Sequence, residues 1–169
     1  MHLDVRVQQE DFDVGAEYGE LRRRLPAHSG AVATFVGLVR DLAPEPASSD
    51  AGGAAGRARV QGLHLEHYPG MTERSIEAIA RQAEQRWPLL DLVVIHRVGN
   101  LLPESQIVYV QAASSHRAAA FAACEFVMDY LKTDAVFWKR EDTGQGSRWV
   151  EATSSDRERI SDWNDGASR

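Results

Sequence analysis

The spacing of apolar positions along the chain changes several times, and each change marks an element. Leu3, Val5 and Val7 alternate with polar residues, the period of a strand with one covered face. Asp13 to Leu25 reads as a helix stopped by Pro26. GAVATFVGLV, Gly30 to Val39, is apolar and β-branched, which predicts a strand buried on both faces. VQGLHLEH, residues 60–67, alternates again, and Tyr68-Pro69-Gly70 is a turn signal. Thr72 is placed to cap a helix running to about Arg86, with Ile76, Ile79, Ala83 and Trp87 on its apolar side. Strands follow at 92–98 and 106–113, joined by a connection over 100–105. Phe121, Cys124, Met128 and Leu131 then recur at i, i+3, i+7 and i+10, predicting a helix opened by Ser114-Ser115 and ending near Lys132 or Thr133. Residues 136–138 look extended, 142–147 form a turn and 148–152 a short strand.

This order predicts an α+β or α/β sandwich, a mixed sheet with packed helices. Two segments depart from it. DLAPEPASSDAGGAAGRA, residues 41–58, is rich in Pro, Gly, Ala and Ser and reads as a flexible loop. From Ser154 the sequence is polar and is predicted to fray. The expected organisation is one domain over 1–153 and a polar tail over 154–169.

Composition narrows the function. A net charge of −6 over 169 residues argues against a general nucleic-acid or membrane-surface binder, but leaves room for a small basic pocket that takes a small anion. A single cysteine, Cys124, excludes a disulfide framework and a Cys-rich metal site. There is no signal-peptide pattern and no apolar run long enough to span a bilayer, so a cytoplasmic setting is expected. No GxGxxG, P-loop or metal-ligand spacing occurs, and His64 and His67 point to opposite faces of their strand. No metal or other cofactor is expected.

The candidate chemistry lies in the basic residues. Of the 19 lysines and arginines, only Lys132 and Lys139 are lysine. Arginine clamps anions but stays protonated, whereas a lysine can lose its proton when burial or neighbouring cations lower its pKa. The plain alternatives are chance and, for Lys132, a cation favoured at a helix C-terminus. His116 and Arg117 fall in a first helical turn, where cations are mildly disfavoured but free N–H groups would help hold a phosphate or carboxylate. The alternative is a solvated Arg and a half-buried His. Arg40 closes an apolar strand, a common place for site residues, or else pairs idly with Asp41.

The stretches GAVATFVGLVRD, LEHYPGM, VIHRVGNL, SSHRAAAFAACEFVMDYLKT and FWKRE…RWVEA resemble the large, catalytic subunit of molybdopterin synthase, the MoaE type, from about Gly30 to Ala152. The resemblance implies an α/β hammerhead fold with an added small antiparallel β subdomain. It implies a homodimer in which each protomer binds a small ubiquitin-like sulfur carrier, giving a heterotetramer. The carrier's C-terminal Gly-Gly thiocarboxylate would supply sulfur to cyclic pyranopterin monophosphate, forming the molybdopterin dithiolene. Carried onto this chain, the site residues are Arg40, His116 and Arg117 for substrate and tail binding, and Lys132 and Lys139 for catalysis. Met128 and Phe35 either line the pocket or pack in the core. Residues 41–58 depart from the family pattern in length, and the turn NLLPESQ departs in sequence.

Two other functions fit parts of the sequence. A docking module without turnover would bind the carrier, but retention of both lysines speaks against it. A persulfide sulfurtransferase would need Cys124 exposed and activated, where its helical position predicts burial.

Overall fold

The computed structural model describes residues 1–41, 59–143, 146–150 and 153–165. Strands β1 (His2–Gln8), β2 (Ala31–Leu38), β4 (Leu89–Arg97) and β6 (Gln106–Ser114) form a mixed sheet in the order β1-β4-β6-β2. β1 runs parallel to β4, and the other pairings are antiparallel. Alternation along β4 divides the core. Leu92 and Val94 face helices α2 (Met71–Arg86) and α3 (Arg117–Thr133), whereas Val93 and Ile95 face α1 (Val14–Arg24). Each fully buried Leu, Ile or Val stabilises the fold by about 1.5–3 kcal/mol.

A second, antiparallel sheet has the order β5-β3-β7-β8, from β3 (Val60–His67), β5 (Gly99–Leu101), β7 (Phe137–Thr143) and β8 (Gly146–Val150). Val39, Val98, Leu63, Leu65 and Leu101 form a separate core beneath it, which also touches Val7, Ile107 and Phe137. The mixed sheet with packed helices and the small antiparallel sheet are the α+β arrangement expected from the resemblance.

Several local expectations are corrected. Residues 31–38 form an edge strand, not one covered on both faces, and leave Phe35 and Leu38 exposed. Thr72 does not cap α2. Gly70 does, with its N–H donating to Glu73, while the buried Thr72 hydroxyl accepts from Tyr68 N–H and donates to the Val136 carbonyl. Phe121 is 67 % exposed, because α3 buries Ala119, Ala120, Ala123, Phe126 and Val127 instead. Trp138 and Trp149 are exposed. Residues 100 and 101 of the expected connection belong to β5, and residues 142–143 of the expected turn belong to β7. The expected flexible loop lies, from residue 42 to 58, outside the described residues.

The expected fraying tail is instead a helix, α4 (Ser154–Asp165). Trp163 packs edge-on to Trp87 and Phe126 at ring distances of 5.7 and 5.5 Å, and its indole N–H donates to Asp129 at 2.8 Å. Arg159 Nε donates to the same carboxylate at 2.8 Å, and Tyr130 donates to Asn164. Asp129 is buried on α3, so two donors from α4 satisfy a charge that burial alone would penalise.

Candidate active site

β7 positions one of the two lysines. Lys139 and Glu141 share a face of this strand by the two-residue pleat. Lys139 lies opposite Leu65 and Val150, and Glu141 opposite Leu63 and Arg148. The aliphatic neighbours half-bury Lys139. Glu141 is buried, with Arg148 at 3.1 Å and Lys139 at 3.9 Å. Burial pushes the Lys139 ammonium below the ordinary lysine value. Glu141 opposes this, and the charges of Arg40 and Lys132 reinforce it.

Lys132 reaches the same electrostatic neighbourhood from the last turn of α3, where a cation suits the helix dipole. Its ammonium lies 3.5 Å from Asp156, on the first turn of α4. Arg40 follows buried Val39, whose backbone is pinned on both sides: Val39 N–H donates to Ser105, and Glu104 N–H donates to Val39. The exposed Arg40 side chain thus leaves a fixed point of the chain. Arg40 and Lys132 are both close enough for their charges to act on Lys139.

His116 and Arg117 are elsewhere. His116 caps α3 in extended conformation without a side-chain cap bond, and Arg117 is the first helical residue. Buried Ser114 anchors this end: its hydroxyl donates to the Pro88 carbonyl at 2.8 Å and accepts from His116 N–H. Gly30 makes the approach possible, since a Cβ there would lie 2.2 Å from the Ser115 carbonyl oxygen. α3 has 17 residues, so its rise puts the ends about 24 Å apart. One chain therefore brings together Arg40, Lys132 and Lys139, and holds His116 and Arg117 at a distance.

Cys124 is buried, and burial raises its thiol pKa to about 11, which argues against a persulfide nucleophile. Met128 packs partly against the main core, and Phe35 is exposed. His64 contacts Asn100 at 2.6 Å and Glu66 at 3.3 Å.

Sequence reasoning passed over three residues near the lysines. In the sequence Glu141 reads as a charge balance for its neighbours Lys139 and Arg140. His96, buried at the end of β4 and stacked on Phe137 at 4.0 Å, gave no signal beyond a polar residue in an apolar run. Asp156 falls in the segment read as a polar tail, although Thr153-Ser-Ser-Asp156 has the spacing of a capping box.

The sequence matches the family described as MoaE protein over residues 7–134. The chain belongs to the MoaE family. It is 52% identical over 159 residues to the molybdopterin synthase catalytic subunit of Ralstonia nicotianae, covering 94% of this chain and 83% of that one. The MoaE protein of Burkholderia ambifaria has a similar structure, with a TM-score of 0.76 and 49% identity over 97% of this chain and 99% of the other. A complex of subunits 1 and 2 of molybdopterin-converting factor from Helicobacter pylori shares the fold at 19% identity and a TM-score of 0.63, over 89% and 90% of the two chains. The family match includes Arg40, His116, Arg117 and Lys132 and ends before β7, which carries Lys139.

Proposed function

We infer that the chain is the catalytic subunit of a molybdopterin synthase, acting in molybdenum cofactor biosynthesis in the cytoplasm. Its substrate is cyclic pyranopterin monophosphate. Its sulfur donor is the C-terminal thiocarboxylate of a small ubiquitin-like carrier. No helix among the described residues is long and apolar enough to cross a membrane. The observation that carries the reading is the half-buried Lys139 set among Arg40, Lys132 and Glu141. This small cationic site in a chain of net charge −6 suits an anionic tail and a phosphorylated substrate.

In this reading Lys132 meets the thiocarboxylate. Lys139, whose neutral form is made accessible by burial and neighbouring cations, takes up a proton as sulfur adds to the pterin. Arg40, His116 and Arg117 hold the substrate phosphate by charge-assisted hydrogen bonds. Because the ends of α3 are about 24 Å apart, His116 and Arg117 serve the lysines of a second copy, and the working unit is a homodimer with one carrier on each protomer.

The test is reconstitution from the chain, cyclic pyranopterin monophosphate and thiocarboxylated carrier, with the dithiolene product read by mass. Product is expected from the native chain and not from Lys139→Arg. A native chain that binds the carrier yet yields no product is a docking module, and the enzymatic reading fails.

A further inference from the structure

α4 reaches the lysine cluster through a single acidic side chain. Thr153 and Asp156 form a reciprocal cap. Thr153 N–H and hydroxyl donate to Asp156 Oδ2 at 3.0 and 2.7 Å, and Asp156 N–H donates back to the hydroxyl at 3.2 Å. One carboxylate oxygen is thereby fixed, and the other, Oδ1, faces Lys132 Nζ at 3.5 Å. The body of α4 is held down by Trp163 and Arg159 on Asp129, with Arg159 also paired to Glu125.

The two partners are unequal. The Asp156 side chain is 19 % exposed and anchored, whereas that of Lys132 is 52 % exposed at the end of a long flexible stem. A pair with one half-exposed member adds little to stability. Its consequence is the occupancy of Lys132, because any anion arriving at that ammonium finds a carboxylate already there.

Resting on the sulfur-transfer reading above, we propose that Asp156 is a positioning residue. It is a counter-ion presented by α4 that holds Lys132 in place and yields it to the anionic C-terminal tail of the carrier. Burial works against the Asp156 charge, but the Thr153 hydrogen bonds and Lys132 outweigh it and hold the carboxyl below the ordinary aspartate range. The exchange makes and breaks no covalent bond. Lys132 changes one carboxylate-type partner for another, and the freed Asp156 stays bonded to Thr153.

The experiment compares the native chain with Asp156→Asn, which removes the charge and keeps an oxygen for the Thr153 cap. Calorimetric titration uses carrier ending in Gly-Gly carboxylate and carrier shortened by those two residues. The intact carrier is expected to bind Asp156→Asn about threefold tighter, and the shortened carrier to bind both chains equally. Equal tightening of both carriers, or none with the intact one, overturns the proposal.

A second readout needs no carrier. With two lysines in the chain, acetic anhydride labelling of Lys132 is resolved by mass, and its rate is expected to rise several-fold in Asp156→Asn. An unchanged rate, with unaltered thermal unfolding, also overturns the proposal. Faster labelling and a tighter tail in a protein that forms no product would sink the sulfur-transfer reading and leave the Asp156 exchange standing.

Discussion

At the N-terminal end of α3, His116 and Arg117 are exposed, and among the described residues neither side chain has a hydrogen bond or ion pair. Across the helix, Lys132 and Lys139 each face a carboxylate, Asp156 and Glu141. Both ends are cationic, but only one carries its own counter-charge. Arg117 stands where the helix dipole disfavours a cation by about 0.3–1 kcal/mol, and no acidic residue offsets it in the first turn. The uncompensated end is suited to an anion from outside the chain. The compensated end is suited to a lysine whose protonation state can change. In the proposed homodimer each protomer would supply two different halves of a site rather than one whole site.

The largest expected effect falls on the compensated end. Lys139→Arg keeps the charge but cannot release a proton, so product formation in single-turnover mixing should fall about 100-fold or more while carrier binding persists. A loss of less than about fivefold would remove Lys139 from proton transfer. The native rate should rise with pH and level off below the ordinary lysine value, because burial and the Arg40 and Lys132 charges favour the neutral amine. Glu141→Gln removes a charge that favours the protonated form, so its plateau should begin at lower pH.

The next effect tests whether the two ends belong to one site. A chain carrying Lys132→Arg and Lys139→Arg, and another carrying His116→Ala and Arg117→Ala, should each be inactive alone. After dimer exchange, half of the dimers contain one of each, and each mixed dimer assembles one intact site. Activity should return to roughly a quarter of the native value. A mixture as inactive as its parents would mean that the ends of α3 do not meet across copies.

The lysine end was more legible in the sequence than the elements around it. The scarcity of lysine pointed to positions 132 and 139, whereas the strand that sets Lys139 beside Glu141 runs past the residues 136–138 that look extended in the sequence. What surrounds them depends on tertiary contacts. α4 has only Ile160 and Trp163 as large apolar residues, too few for a helical stripe, and it docks largely through polar bonds to Asp129 and Tyr130. The apolar run at 31–38 reads as doubly buried because composition reports that a surface suits burial and not which chain covers it. Phe35 and Leu38 remain exposed. Phe121 misled for a related reason: a helical stripe fixes a face to within one neighbour, and here the alanines beside it are buried instead. The separation of about 24 Å follows from helix length alone, whereas the proposed sharing of the two ends between copies does not.

A smaller effect probes the docking of α4. Trp163→Ala opens the ring cluster with Trp87 and Phe126 and removes a donor from buried Asp129. It should cost about 2–3 kcal/mol in chemical denaturation. If α4 presents Asp156, the same variant should also raise Lys132 labelling, linking the stability of the helix to the state of the lysine.

The smallest effect lies beneath the site and separates its scaffold from its chemistry. The His96 ring stacks on Phe137, and its Nδ1–H donates to the Arg97 carbonyl at 2.8 Å. Burial, with the nearby Lys139 charge, lowers its pKa to about 4. The unfolded chain titrates near 6.5, so below that pH it takes up a proton that the folded chain refuses. The stability this residue contributes is present above about pH 6.5 and is lost as the pH falls toward about 4, where the folded chain also protonates. Between about pH 7 and pH 5 the loss should be about 2 kcal/mol, measured by denaturant titration at each pH. His96→Phe keeps the stack and discards the proton site, so its stability should fall less over that interval. An equally steep fall in the variant would assign the titration to another group and leave the ring beside Lys139 with a packing role alone.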